Sequence, residues 1–114
     1  MSTDKTPDIL VVDDTPANLQ LISGMLRSHG YKVRPVSSAA LALQAAKTAP
    51  PDLVLLDINM PEMDGYEVCT QLKASDKTRE VPIIFLSALH ETIDKVKAFN
   101  CGGVDYISKP FQFE

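Results

Sequence analysis

The sequence predicts an α/β domain with a doubly wound, five-stranded parallel sheet, on three observations. Five short apolar runs alternate with segments of helical periodicity along 114 residues. One run, Leu53-Val-Leu-Leu56, has no polar residue, the pattern of a strand covered on both faces. Proline, glycine or serine punctuates the joints, so the elements are short and the connections tight. Alternation of this kind leads to parallel strands, right-handed crossovers and helices on both faces.

Ile9 to Val12 is the first strand and stops at two acids, Asp13 and Asp14. Thr15-Pro16 reads as a helix N-cap followed by proline at the first helical position. Leu19, Ile22, Met25 and Leu26 then recur at helical spacing, and Gly30 supplies the stop. Tyr31 to Val36 is a second, more mixed strand. Ser37-Ser38 can cap a helix from Ala39 to Thr48, which Pro50-Pro51 ends.

The central run ends at Asp57. Met60-Pro61 and Asp64-Gly65 mark a loop, since proline biases its predecessor away from helix and glycine supplies turn dihedrals. Tyr66, Val68, Cys69 and Leu72 carry a helix to Ala74, and Ser75 to Glu80 is a polar connection. Val81 to Leu86 is the fourth strand, with proline tolerated near its start and Ser87 at its end. Glu91 to Asn100 fits a helix closed by Gly102-Gly103. Val104 to Ile107 is the fifth strand, followed by Ser108-Lys109-Pro110.

Length allows one domain, which at this size buries roughly two thirds of the unfolded chain's surface. Hydrophobic content of 45% and charged content of 23% are ordinary for a globular protein. The net charge of -4 offers no basic footprint for a nucleic acid backbone, so direct nucleic acid binding is not expected. Residues 1–7 read as a disordered, polar segment without the apolar stretch of a signal peptide, and no run is long enough to span a membrane. Cys69 and Cys101 form no Cys-x-x-Cys motif and read as reduced thiols, which suggests a cytoplasmic protein.

Parallel strands bring their carboxyl ends to one edge, where open sheets of this kind bind ligands. Asp13, Asp14, Asp57, Ser87 and Lys109 therefore converge, although distant in sequence. Two carboxylates about 4 Å apart repel by roughly 4 kcal/mol at an effective dielectric near 20, so three together call for a cation. An oxygen-only set without nearby Cys or His points to Mg²⁺, with Mn²⁺ as a substitute, rather than zinc. A hard cation with open positions suits a phosphoryl group. Lys109 adds a point charge for the same oxygens, and the Ser87 hydroxyl can donate to one of them.

Four stretches in this order resemble the receiver domain of two-component response regulators: Val11-Val-Asp-Asp14, Leu55-Leu-Asp-Ile-Asn-Met-Pro-Glu-Met-Asp-Gly65, Leu86-Ser-Ala88 and Asp105-Tyr-Ile-Ser-Lys-Pro110. The resemblance runs from Asp8 to Phe113 and assigns 8–114 to one receiver domain. It implies a flavodoxin-like strand order, 2-1-3-4-5. It also implies that Asp57 accepts a phosphoryl group from a histidine kinase or histidine phosphotransfer protein, and that the domain catalyses its own phosphorylation and dephosphorylation. Asp13, Asp14, Asp57 and the Asn59 carbonyl would bind Mg²⁺. Ser87 and Lys109 would assist catalysis, and Ser87 and Tyr106 would switch a surface read by an output domain or protein. Lys109-Pro110 resembles the family's cis peptide. Asn59 and Leu89 would tune the lifetime of the phosphate, and Leu89, lacking a group to orient water, implies slow self-dephosphorylation.

Singly, these residues have plainer readings: Asp13-Asp14 as a solvated helix cap, Ser87 as a cap, Lys109 as a surface charge, Tyr106 as a half-buried strand aromatic and Asp64-Gly65 as turn chemistry. Their joint occurrence favours the site. An aspartate-nucleophile phosphohydrolase would want a second acid two residues after the first-strand nucleophile, and Asp13-Asp14-Thr15 lacks it. A flavodoxin-like cofactor module would place a phosphate-binding loop where two acids stand. A phosphorylation-independent interaction module has no need of the full set.

One departure from the resemblance concerns Phe111-Gln-Phe-Glu114, where the family continues into a fifth helix that is here missing or truncated. The expectation is an uncovered apolar face near Ile22 and Met25, open to association, for instance as a homodimer.

Overall fold

The computed structural model describes residues 6–87 and 105–108, with only the backbone described at Ser87 and 105–108. The strands are β1 (Asp8–Val12), β2 (Lys32–Val36), β3 (Leu53–Asp57), β4 (Ile83–Ser87) and β5 (Asp105–Ser108). The helices are α1 (Pro16–Ser28), α2 (Ala39–Thr48) and α3 (Gly65–Ala74). All strand pairs are parallel, in the order β2-β1-β3-β4-β5, so the expected doubly wound sheet is observed. The expected helix from Glu91 to Asn100 and the end of the chain, on which the missing-helix expectation turns, lie outside the described residues.

The two faces of the sheet divide the core as the unbroken apolar strands require. Leu10, Val12, Val54, Leu56, Ile83 and Phe85 pack with Ala39, Ala42 and Ala46 of α2 and Val68, Cys69 and Leu72 of α3. Ile9, Val11, Leu55 and Leu86 pack on the other face with Ile22, Leu19 and Leu26 of α1. Alternation along β3 thus puts Val54 and Leu56 on one side and Leu55 on the other. Phe85 is fully buried, and its ring centroid lies 5.2 Å from that of Tyr66 in a tilted pair. Ile22 is also buried, whereas Met25 is half-buried.

Local chemistry sets the ends of the helices. At the end of α1, Gly30 has φ 89°, its N–H donates to Arg27 O at 3.0 Å and the Tyr31 N–H donates to Leu26 O at 3.2 Å. This is a Schellman closure, in which glycine takes the left-handed position without a Cβ clash. Ser38 Oγ caps α2 by accepting from Leu41 N–H at 3.2 Å. Thr15 stands at the N-cap position of α1 but makes no side-chain cap bond. Asp13 Oδ1 instead accepts from Thr15 N–H at 2.9 Å, so the preceding acid shapes the turn.

Asp64-Gly65 does not make the turn expected of it. Asp64 is the N-cap of α3 and accepts from Glu67 N–H at 2.9 Å. Gly65 is the first helical residue, and Gly30 is the only described residue with a positive φ.

Candidate functional site

The register builds the site. Val12 of β1 pairs with Leu56 of β3, so the next residues, Asp13 and Asp57, stand level on neighbouring strands. From β1 the chain crosses to β2 on one side and later to β3 on the other, and the cleft between the carboxyl ends of β1 and β3 is the topological switch point. The ladder continues past the strand ends on both sides. Asp13 N–H donates to Val36 O at 3.2 Å, and Ile58 N–H donates to Leu86 O at 3.1 Å. Both carboxylates are therefore carried on backbone pinned by hydrogen bonds.

Asp13 is fully buried and Asp57 is 2% exposed, while Asp14 keeps access to solvent. One carboxylate oxygen from each of the three can be chosen so that all lie within 4.8 Å of one another. Buried acids this close repel strongly when ionised, and they offer only hard oxygen donors. Beside Asp14 a cavity of about 440 Å³ opens, lined in part by Pro16, Ser37, Ser38, Met60 and Glu62.

The other expected residues divide by position. Asn59 is exposed in the loop after β3. Ser87 ends β4, one step beyond the Leu86 that pairs with Asp57, and itself pairs with Ser108 of β5. Tyr106 lies on β5 opposite Phe85. Lys109, the Lys109-Pro110 peptide and Leu89 lie outside the described residues. The strand ends thus bring Asp13, Asp14 and Asp57 together and set Ser87 on the adjoining strand.

Gly65 is the residue that reading by turn chemistry missed. A Cβ built there would overlap the Asp57 carbonyl oxygen and lie 2.9 Å from Ile58 Cα and 3.1 Å from the Asp57 carbonyl carbon. Its N–H donates to Ile58 O at 2.7 Å. Only the pairing of Asp57 with a glycine shortly downstream hinted at such an approach.

Known proteins agree with this geometry. The response regulator receiver domain profile matches residues 9–114. The chain is 37% identical over 108 residues to the DNA-binding dual master transcriptional regulator RpaA of Synechocystis sp., a match covering 95% of this chain and 45% of RpaA. It is 42% identical over 103 residues to the alkaline phosphatase synthesis transcriptional regulatory protein PhoP of Bacillus subtilis, covering 90% of this chain and 42% of PhoP. The chain thus spans less than half the length of these relatives.

Among solved structures, the Vibrio cholerae chemotaxis protein CheY4 superposes with a TM-score of 0.88 at 28% identity, over 94% of this chain and 89% of that one. The receiver domain of the sensor histidine kinase PA1611 of Pseudomonas aeruginosa PAO1, which has a magnesium ion coordinated in its active site cleft, gives 0.85 at 36% identity, over 94% and 88%. With the same sheet, the acidic cleft at its switch point and a profile match along nearly the whole chain, the protein belongs to the response regulator receiver domains, the phosphorylated signalling switches of two-component systems.

Proposed function

We propose that Asp57 is the phosphoacceptor, taking its phosphoryl group from a phosphohistidine on a histidine kinase or histidine phosphotransfer protein. The observation that carries this is the buried Asp57 carboxylate at the end of β3, with oxygens of Asp13 and Asp14 within 4.8 Å. A carboxylate is a poor nucleophile towards an anionic phosphoryl group unless charge is neutralised. Three acids so placed fit Mg²⁺, held by Asp13, Asp14, Asp57 and the Asn59 carbonyl, with Mn²⁺ as a substitute. The magnesium in the PA1611 receiver's cleft supports this choice. When bound, the cation supplies positive charge against the phosphoryl oxygens and the carboxylates.

The chain's residues do the rest. An Asp57 carboxylate oxygen attacks phosphorus, the P–N bond breaks, and the imidazole leaves with the electron pair and takes up a proton. The product is an acyl phosphate on Asp57. Lys109 contributes a second positive charge and Ser87 a hydroxyl donor to the new phosphoryl oxygens. Water later attacks phosphorus, restoring the carboxylate and releasing inorganic phosphate. Asn59 and Leu89 set how fast this occurs, and at Leu89 no side-chain group orients the water.

The added charge gives Ser87 and Lys109 a new partner, and their loops move to satisfy it, with Tyr106 following. The altered surface is read by an output domain or a separate protein, in the cytoplasm. Residues 8–114 act as one receiver unit.

The test is intact mass after incubation with a small acyl phosphate donor, with Mg²⁺ or with chelator. The wild-type chain is expected to gain one phosphoryl group only with Mg²⁺, and Asp57→Asn none. An equal gain in chelator or in Asp57→Asn contradicts the proposal.

A further inference from the structure

We infer that Gly65 is a positioning residue for the acidic site, an inference that rests on the reading of Asp57 above. Gly65 has no left-handed dihedral to accommodate, so the conformational freedom of glycine does not account for it. Its neighbours do. The three atoms nearest a Cβ there are all backbone: the Asp57 carbonyl oxygen, Ile58 Cα at 2.9 Å and the Asp57 carbonyl carbon at 3.1 Å. Backbone pinned in a central strand cannot swing aside as a flexible side chain would. The missing side chain lets the first turn of α3 lie directly against the Asp57–Ile58 peptide.

The contact is also bonded. Gly65 N–H donates to Ile58 O at 2.7 Å, while Ile58 N–H donates to Leu86 O at 3.1 Å. The Ile58 peptide unit is thereby held from α3 on one side and β4 on the other. Asp64, accepting from Glu67 N–H, seats the helix that does the holding. Asp57 adopts its position against Asp13 and Asp14 on this clamped backbone, and the loop from Ile58 to Asp64 is closed at both ends. Gly24 serves as contrast, because a Cβ there meets nothing within 4 Å.

The test compares Mg²⁺ affinity, read from the amide resonances of Asp13 and Asp57, with the thermal midpoint. Gly65→Ala is set beside wild type, Asp64→Ala, and Arg34→Met as a destabilised control remote from the site. Gly65→Ala is expected to weaken Mg²⁺ binding roughly tenfold or more, the range for residues that orient ligands. Arg34→Met should leave the affinity within about twofold, although its midpoint falls. A folded Gly65→Ala with wild-type Mg²⁺ affinity overturns the inference.

Should Gly65→Ala fail to fold, Asp64→Ala decides: weakened Mg²⁺ binding supports the clamp, and unchanged binding overturns it. The titration needs no phosphorylation. A wild-type chain that takes up no phosphoryl group therefore contradicts the function while leaving the clamp to be judged by its own result.

Discussion

Asp13 and Asp57 are charges placed where charge is costly, buried within 4.8 Å of each other and of Asp14. A core selected only for stability would not keep them. Replacing Asp13 with Asn retains an Oδ1 for the Thr15 N–H but removes one charge from the cluster. Asp13→Asn is therefore expected to stabilise the metal-free chain, while losing its response to Mg²⁺. Urea unfolding in chelator and in Mg²⁺ measures both, and a less stable Asp13→Asn in chelator would count against net repulsion. At this scale the site was legible where residue type suffices, since acids after apolar runs are visible in any reading. Gly65 was not, because its role lies in a close approach between backbones that no local pattern encodes.

At the level of elements, capping and edge chemistry decide how firmly the scaffold is held. Ser38 caps α2 as its sequence position suggests, but Thr15 yields to Asp13, which competes for the same turn from two residues upstream. Arg34 on β2 shows a tie that periodicity could not reveal. Its Nε donates to Asp8 Oδ1 at 3.0 Å, and its other nitrogens donate to Ala45 O at 3.4 Å and Ala49 O at 2.7 Å. It thus joins the start of β1 to the carbonyl end of α2, where a cation also suits the helix dipole. Because the ion pair is part-exposed, Arg34→Met should cost only about 1 to 2 kcal/mol, with Lys restoring part of it. Gly24→Ala, within α1 and facing open space, should stabilise by about 0.5 to 1 kcal/mol, again by urea unfolding. Destabilisation at Gly24 would mean that the helix there does not tolerate the added methyl.

For the molecule as a whole, the alternation of runs was enough to predict a parallel sheet, because both faces of each central strand must be covered. The order of the strands is a non-local property, and the family resemblance implied it where periodicity could not. Phe85 sits in the larger core against Tyr66, so Phe85→Ala should cost on the order of 3 to 5 kcal/mol, a large share of a small domain's stability. On the proposed assignment Mg²⁺ binds the folded state alone, so at about 100 times its dissociation constant it should add roughly 2.7 kcal/mol and partly offset that loss. A Phe85→Ala chain whose thermal midpoint ignores Mg²⁺, while wild type responds, would show that core and site are not linked through folding.

The central claim is that phosphate is carried by Asp57 and by no other residue. Borohydride reduction of the phosphorylated chain converts an acyl phosphate on aspartate to homoserine, and peptide mapping then reports the position. The prediction is homoserine at position 57 alone, in Mg²⁺ and not in chelator. Homoserine at Asp13 or Asp14, or a phosphoryl group retained on His29 or His90, would contradict it.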